Sequence, residues 1–294
     1  MELMKTIHYT ELGATLFIPA VHPKLFSIVQ GEKYPTLQAV VIDTEDGIAK
    51  ESFADALNSI QDLLLQLDTP KPLVFLRPRN AEVLESFLSL AFIQKVDGFV
   101  LPKFSLNNAQ SYLSLLEDRE FVWMPSIEGE EIFEEEKLLA LRTLFLEHKK
   151  SIPLIRFGLE DILRQLSLRR RCEDSVFDLA TGNFLLGRFI TLFKSVGFCV
   201  SGGVFPCYKD DIGFIKDVQR DLKEGLFSKT MIHPQQILLL QDLYKVAKRD
   251  FDEALEILLQ EEAVFAQNGK MAEKVTMSPY SEEIIMRAQI YGLK

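Results

Sequence analysis

Residues 39–47 read Ala-Val-Val-Ile-Asp-Thr-Glu-Asp-Gly, four apolar positions that give way at once to acid. A short β-branched run of this kind is a strand covered on both faces, and the acids mark where it emerges. Downstream, Phe53, Leu57, Ile60 and Leu64 recur at helical spacing within Glu51–Leu67, so one face of that helix is buried. The next apolar run, Leu73–Leu76, ends in Arg77-Pro78-Arg79-Asn80. Strand, helix, strand with polar residues at each strand end is a parallel βαβ unit. The alternation repeats on both sides. Thr15–Ile18, Gly98–Leu101, Phe121–Ser126, Leu154–Phe157, Phe198–Val204 and Lys229–Ile232 read as strands. Ala81–Gln94, Asn107–Glu117, Glu134–His148 and Phe177–Ser195 read as helices. Eight such strands predict an α/β fold of the (β/α)₈ TIM-barrel type. An open doubly wound sheet is the alternative, but no Gly-x-Gly-x-x-Gly follows the first strand. Beyond the eighth strand, Pro234–Ala247, Asp250–Gln267 and, after a break at Asn268-Gly269, Ser281–Tyr291 read as a helical extension. The expectation is one domain over 1–294, with about 235–294 as that extension.

The chain has 294 residues, 47% hydrophobic and 26% charged, which excludes a disordered chain and supplies ample core. Lys plus Arg total 33 against 43 Asp plus Glu, a formal net charge of −10. That balance argues against nucleic acid and against an anionic membrane surface as partners, while leaving room for a small anion held by a local cationic cluster. No apolar run approaches the ~18 residues of a membrane span. The opening Met-Glu-Leu-Met-Lys lacks the pattern of a secretory leader. Three cysteines, Cys172, Cys199 and Cys207, form no Cys-x-x-Cys pair, so no disulfide framework is expected. These features predict a cytoplasmic protein.

Chemistry in parallel barrels gathers at the C-terminal ends of the strands. Here those ends carry Asp43-Thr44-Glu45-Asp46-Gly47, Arg77-Pro78-Arg79, Pro102-Lys103, Glu128-Gly129-Glu130, Gly158-Leu159-Glu160-Asp161, Ser201-Gly202-Gly203 and His233-Pro234. Glu128 and Asp161 follow consecutive strands ~4.8 Å apart, so their carboxylates can face one another around a hard divalent ion. The competing reading makes them loop carboxylates that cap the next helix. Arg77 and Arg79 leave an apolar strand and must find anions. One fork can grip a substrate carboxylate or phosphate while the other bridges to Asp43, Glu45 or Asp46. His233 reads as a structural hydrogen-bonder and Arg169-Arg170-Arg171 as a solvated face. With no His/Cys ligand cluster, zinc is not expected, and none of the cysteines has an evident activating partner.

Taken in order, these residues resemble the citrate lyase β-subunit and malyl-CoA lyase family, and within it a C–C bond lyase-like subgroup. Thr15–Ala20 with Lys24 is similar to its Leu-Phe-Val-Pro-Gly opening, and Val41–Gly47 to its Asp-Leu-Glu-Asp segment. Leu76–Asn80 resembles Val-Arg-x-Asn, Val100–Lys103 resembles Leu-Pro-Lys, and Ser126–Gly129 resembles Ile-Glu-Thr. Phe157–Ile162 resembles Gly-x-Glu-Asp-Leu, and Lys229–Ile237 resembles Gly-Lys-x-x-Ile-His-Pro-x-Gln-Ile. Ser228 stands where the family has glycine, Gly129 where it has threonine, and the lid acid of malyl-CoA lyases has no identifiable counterpart in the tail.

The resemblance implies a Mg²⁺-dependent lyase or aldolase on a small oxo- or hydroxy-acid or its CoA thioester. It implies Glu128 and Asp161 as metal ligands, and Arg77 on the substrate carboxylate or carbonyl, where it neutralises enolate charge. Asp43, Glu45 and Asp46 would form the acidic set around that arginine, with Glu45 and Asp46 catalytic. Lys24, Lys103 and the added Arg79 would be anion contacts. A homo-oligomer, trimer or hexamer, is expected on the same ground. Two other readings stand beside it: a catalytically silent barrel that binds an anionic metabolite or a protein partner, and phosphoryl chemistry at the same metal.

Overall fold

The computed structural model describes residues 6–70, 72–267 and 269–294. The N-terminal pentapeptide and Asn268 of the sequence reading lie outside that set. The chain divides into two compact units, Met1–Ile237 and Leu238–Lys294.

In the larger unit seven strands form one sheet: β1 (Ala14–Pro19), β2 (Ala39–Asp43), β3 (Leu73–Arg77), β4 (Gly98–Leu101), β5 (Val122–Ile127), β6 (Arg156–Phe157) and β7 (Lys229–Met231). Their order is β6-β5-β4-β3-β2-β1-β7, every pairing is parallel, and the last strand lies beside the first, as a barrel requires. Helices Phe53–Gln66, Ala81–Leu88, Ala109–Leu116 and Glu135–Glu147 follow β2 to β5 in turn. The predicted barrel is therefore the observed one.

Register decides what points inward. Ile7, Leu12, Ala39, Val41, Phe75, Val100, Val122, Met124 and Leu154 make one buried cluster, with Phe17, Leu73 and Cys199 packed against it. Side chains alternate along a strand, so the next inward positions are Asp43 on β2, Arg77 on β3, Ser126 on β5 and Arg156 on β6. An apolar plug capped by a polar layer is thus written into the parity of each strand.

The predicted strand Phe198–Val204 is a correction. Only Val200 bridges to Ile155: Cys199 O accepts from Ile155 N at 2.9 Å and Ser201 N donates to Ile155 O at 3.0 Å. Pairing stops at Gly202-Gly203, where no side chain packs to support a strand. A Cβ on Gly202 would lie 2.2 Å from the Asp221 carboxylate, so only glycine fits there. The seam is closed by charge instead. Buried Lys229 donates to Gly203 O (2.7 Å), Asp217 Oδ2 (2.6 Å) and Asp221 Oδ2 (2.5 Å). Arg170, expected on a solvated face, is also buried, 3.1 Å from Glu160 and 3.5 Å from Asp217. Breaking a buried network by removing one member leaves uncompensated charge. Lys229→Ala is expected to cost about 3–5 kcal/mol, read from urea unfolding midpoints.

The cysteines also correct the sequence reading: Cys172 and Cys207 form a disulfide, their Cα atoms 5.6 Å apart. A separation of 35 residues carries no local signal, and the partners meet only because the segment after β6 folds onto the segment after the seam.

In the smaller unit, helices Lys248–Leu259 and Lys274–Tyr291 pack through Val246, Ala254, Ile284 and Ala288. Between them runs an antiparallel hairpin, β8 (Val264–Gln267) with β9 (Lys270–Glu273), where an unbroken helix to Gln267 was expected. Alternation at Val264–Gln267, with Phe265 buried against Ile257 and Ala272, is the strand period that the helical reading overran. Among the described residues no helix is long and apolar enough to cross a membrane.

Candidate active site

A cavity of about 360 Å³ opens at the C-terminal ends of the strands, with Asp43, Asp46, Arg77, Ser126, Glu128, Arg156 and Asp161 in its wall. Its cationic side begins with register, since Asp43 and Arg77 are opposed residues on β2 and β3. The guanidinium forks onto the carboxylate, Nε to Oδ1 and Nη2 to Oδ2, both at 2.7 Å. Its Nη1 lies 2.9 Å from Glu45 Oε2. Asp43 is itself fixed from below, accepting from Glu45 N and Gly47 N at 2.9 Å each. Burial opposes the charge on Arg77, but Asp43 and Glu45 overcome it and hold its pKa above the ordinary arginine value. Burial raises the Glu45 carboxyl in turn, against the pull of Arg77 and Lys103.

Lys103 joins the two halves of the site. Its backbone takes a left-handed conformation, φ +46°, unusual for a side chain of this size. That conformation lets its N–H donate to Glu128 Oε1 at 2.7 Å while its Nζ reaches Glu45 Oε1 and stands 3.6 Å from Asp46. Strain at one residue thus ties strand four to carboxylates from strands two and five.

Glu128 is 7% exposed and, among the described residues, makes no ion pair with a cationic side chain; its second oxygen accepts from Ser126 Oγ at 3.1 Å. Burial, reinforced by the charges of Asp161 and Glu45, raises its pKa to about 7 despite the Lys103 N–H. Gly158, at the head of helix Leu159–Gln165, makes room for it: a Cβ there would sit 2.2 Å from Glu128 Oε2. Asp161 lies in the first turn of that helix, more open, with Arg164 Nη2 at 2.8 Å. Among the described residues no group of three or more His, Cys, Asp or Glu side chains encloses a metal. Mg²⁺ needs no such group, because it keeps waters and takes one or two carboxylates. A desolvated carboxylate outside any ion pair among the described residues, beside a second carboxylate, is a donor set that fits it.

The raised Glu128 pKa has a measurable sign. Unfolded, the group titrates near its ordinary 4.5, and folded at about 7. The folded chain holds that proton more tightly, so this contribution to stability is full below about pH 4.5 and is lost as pH rises through 7. Metal-free protein is expected to lose about 3 kcal/mol from this group across that window. Glu128→Gln removes the slope, as checked by urea unfolding at a series of pH values.

Of the other expected contacts, Arg79 donates to the carbonyls of Glu45 (3.3 Å) and Ile48 (3.2 Å) and so pins the acidic loop outside the cavity wall. Lys24 precedes helix Leu25–Val29, its N–H on His22 Nδ1, also away from the cavity. His233 stacks on Tyr208 at 4.2 Å and accepts from Gln235 N, the structural role expected of it. Arg156, inside an apolar strand, escaped the sequence reading; parity with inward Leu154 is the signal that would have found it.

The family model of C–C bond lyases of the TIM-barrel fold matches residues 6–293. Citrate lyase subunit beta of Escherichia coli K12 is 25% identical over 147 residues, 48% of this chain and 47% of the relative. That match spans about half the length of the curated relative. CitE from Mycobacterium tuberculosis, solved in complex with magnesium, acetoacetate and coenzyme A, has a TM-score of 0.70 at 19% identity, covering 94% of this chain and 98% of that one. The citrate lyase beta subunit of the same organism, complexed with oxaloacetate and magnesium, gives 0.59 at 19% identity over 80% and 98%. Likeness at that identity establishes the fold, and the family match covers nearly every residue. This chain belongs to the C–C bond lyase family of the TIM-barrel fold.

Proposed function

We propose that this protein is a Mg²⁺-dependent carbon–carbon lyase or aldolase that acts on a small oxo- or hydroxy-acid, or its CoA thioester, through an enolate. The observation that carries the reading is Glu128, a buried carboxylate with a raised pKa and, among the described residues, no ion-paired cation, which lines one cavity with Asp161 and Arg77. Magnesium, acetoacetate, oxaloacetate and coenzyme A in the related structures support it. Homo-oligomerisation and a cytoplasmic location belong to the same reading.

Glu128 and Asp161 would hold the ion, which supplies Lewis-acid stabilisation of a developing oxyanion. Cleaving a bond β to a carbonyl leaves its electron pair on the α-carbon, delocalised onto the carbonyl oxygen as an enolate. Arg77 meets that charge with the N–H groups that Asp43 and Glu45 leave over, and it cannot swing away because both acids hold it. Glu45 and Asp46 keep Lys103 at the rim, and Lys103 in turn fixes Glu128 through its N–H. Geometry is set before substrate arrives, so little reorganisation is left for the reaction.

The test does not need the natural substrate. Enolate formation exchanges α-hydrogens with solvent, so ¹H NMR in D₂O with Mg²⁺ should show loss of the methyl signal of pyruvate or of acetyl-CoA faster than Mg²⁺ alone produces. Rates equal to the metal-only control for both compounds would favour the silent binding barrel.

A further inference from the structure

Of the two arginines in the cavity wall, Arg77 is held by Asp43 and Glu45, and Arg156 has no such partner among the described residues. It lies on β6 with 3% of its surface exposed, inward by register with Ser126. Its Nη1 donates to Thr230 Oγ1 at 3.1 Å, and its Nη2 has only the Met124 sulfur at 3.6 Å. Its Nε is buried without any hydrogen-bond partner. Among the described residues no carboxylate pairs with it. The contrast is with Arg77, whose fork is filled by two acids. Both guanidiniums pack on Phe17, Arg77 at 5.1 Å from the ring centroid and Arg156 at 5.4 Å.

A buried guanidinium without an anion is expensive, and replacing such a group by an apolar side chain commonly costs nothing or stabilises. Burial and the nearby charge of Arg77 both act against its protonated form. A chain that keeps a cation without a carboxylate in the lining of a cavity, its hydrogen-bonding capacity only partly used, is built to complete the pair with a ligand. The metal carboxylates and Arg77 account for one end of an oxo acid. Arg156, with Thr230 beside it, faces what the other end carries.

Resting on the function proposed above, we infer that Arg156 is the specificity residue of a second anion subsite, which takes a second carboxylate of the substrate. The planar fork of arginine matches a carboxylate side-on, and its charge selects dicarboxylic over monocarboxylic oxo acids.

The experiment compares oxaloacetate with 2-oxobutyrate, which carries a methyl group where oxaloacetate has its second carboxylate. Calorimetric titration of each into the full chain with Mg²⁺ is run for wild type, Arg156→Met and Arg156→Lys. Wild type is expected to bind oxaloacetate about 10–100-fold more tightly. In Arg156→Met that ratio should fall to about one, with affinity for Mg²⁺ and 2-oxobutyrate unchanged and the thermal midpoint equal or higher; Arg156→Lys should keep part of the preference. A ratio unchanged in Arg156→Met, or no preference in wild type, overturns the subsite. A metal-free arm separates this idea from the function it rests on. Should neither oxo acid bind wild type, the proposed function fails, and the subsite is judged by malonate alone. It stands when malonate raises the thermal midpoint of wild type and leaves Arg156→Met unmoved, and falls when the two respond alike.

Discussion

Glu128→Gln is expected to abolish Mg²⁺-dependent exchange of pyruvate or acetyl-CoA protons, a loss of at least about 10³-fold, since Lewis-acid stabilisation of an oxyanion is worth several kcal/mol. The substitution is conservative in shape. Glutamine keeps an oxygen for the Lys103 N–H at Oε1 and a polar group beside Ser126, so the strand ends stay where they are. What it removes is a charge that burial makes costly and that a divalent ion would relieve. The same change should leave metal-free protein more stable than wild type above pH 7, because burial and the charges of Asp161 and Glu45 make an ionised Glu128 costly there. Lost exchange together with gained stability is the pattern of a group kept for binding a cation. Lost exchange with lost stability would make Glu128 a structural acid.

Arg77→Met should be the second severe substitution, and it differs in kind. Removing one preorganised donor to a developing oxyanion costs about 10²–10³ in turnover. The stability cost is added to that, about 3–5 kcal/mol, because Asp43 and Glu45 are both buried and lose the fork that neutralises them. Arg77→Lys should recover little of either loss, since a single ammonium cannot meet both oxygens of Asp43 and Glu45 at once. Exchange kinetics and urea unfolding on the same variants separate the two effects. Unchanged exchange in a folded Arg77→Met would remove this arginine from the chemistry.

The barrel was legible because its strands are short apolar runs with polar ends, and parity then fixes the inward layer. The pairing of Asp43 with Arg77 was legible for the same reason: they end neighbouring parallel strands at one register. Of the two arginines in Arg77-Pro78-Arg79, the one inside the strand's alternation bridges to the acids, and the one beyond it turns to loop carbonyls. Arg156 was missed because a lone charge in Leu-Ile-Arg-Phe reads as a strand end, when its inward parity makes it part of the polar layer. The seam was missed because Phe198–Val204 has the composition of a strand, while its closure depends on Lys229, Asp217 and Asp221 from other elements. The Cys172–Cys207 link and the hairpin in the smaller unit are likewise products of tertiary contact, beyond the reach of local periodicity.

On the proposed function, Glu128 and Asp161 hold a divalent ion that an oxo acid then shares. Isothermal titration of Mg²⁺ into wild type and into Glu128→Gln/Asp161→Asn, each with and without pyruvate, tests it most directly. Binding to wild type is expected to tighten with pyruvate, to weaken as pH falls below about 7 and to be absent from the double variant. Indistinguishable titrations of the two folded proteins would contradict it.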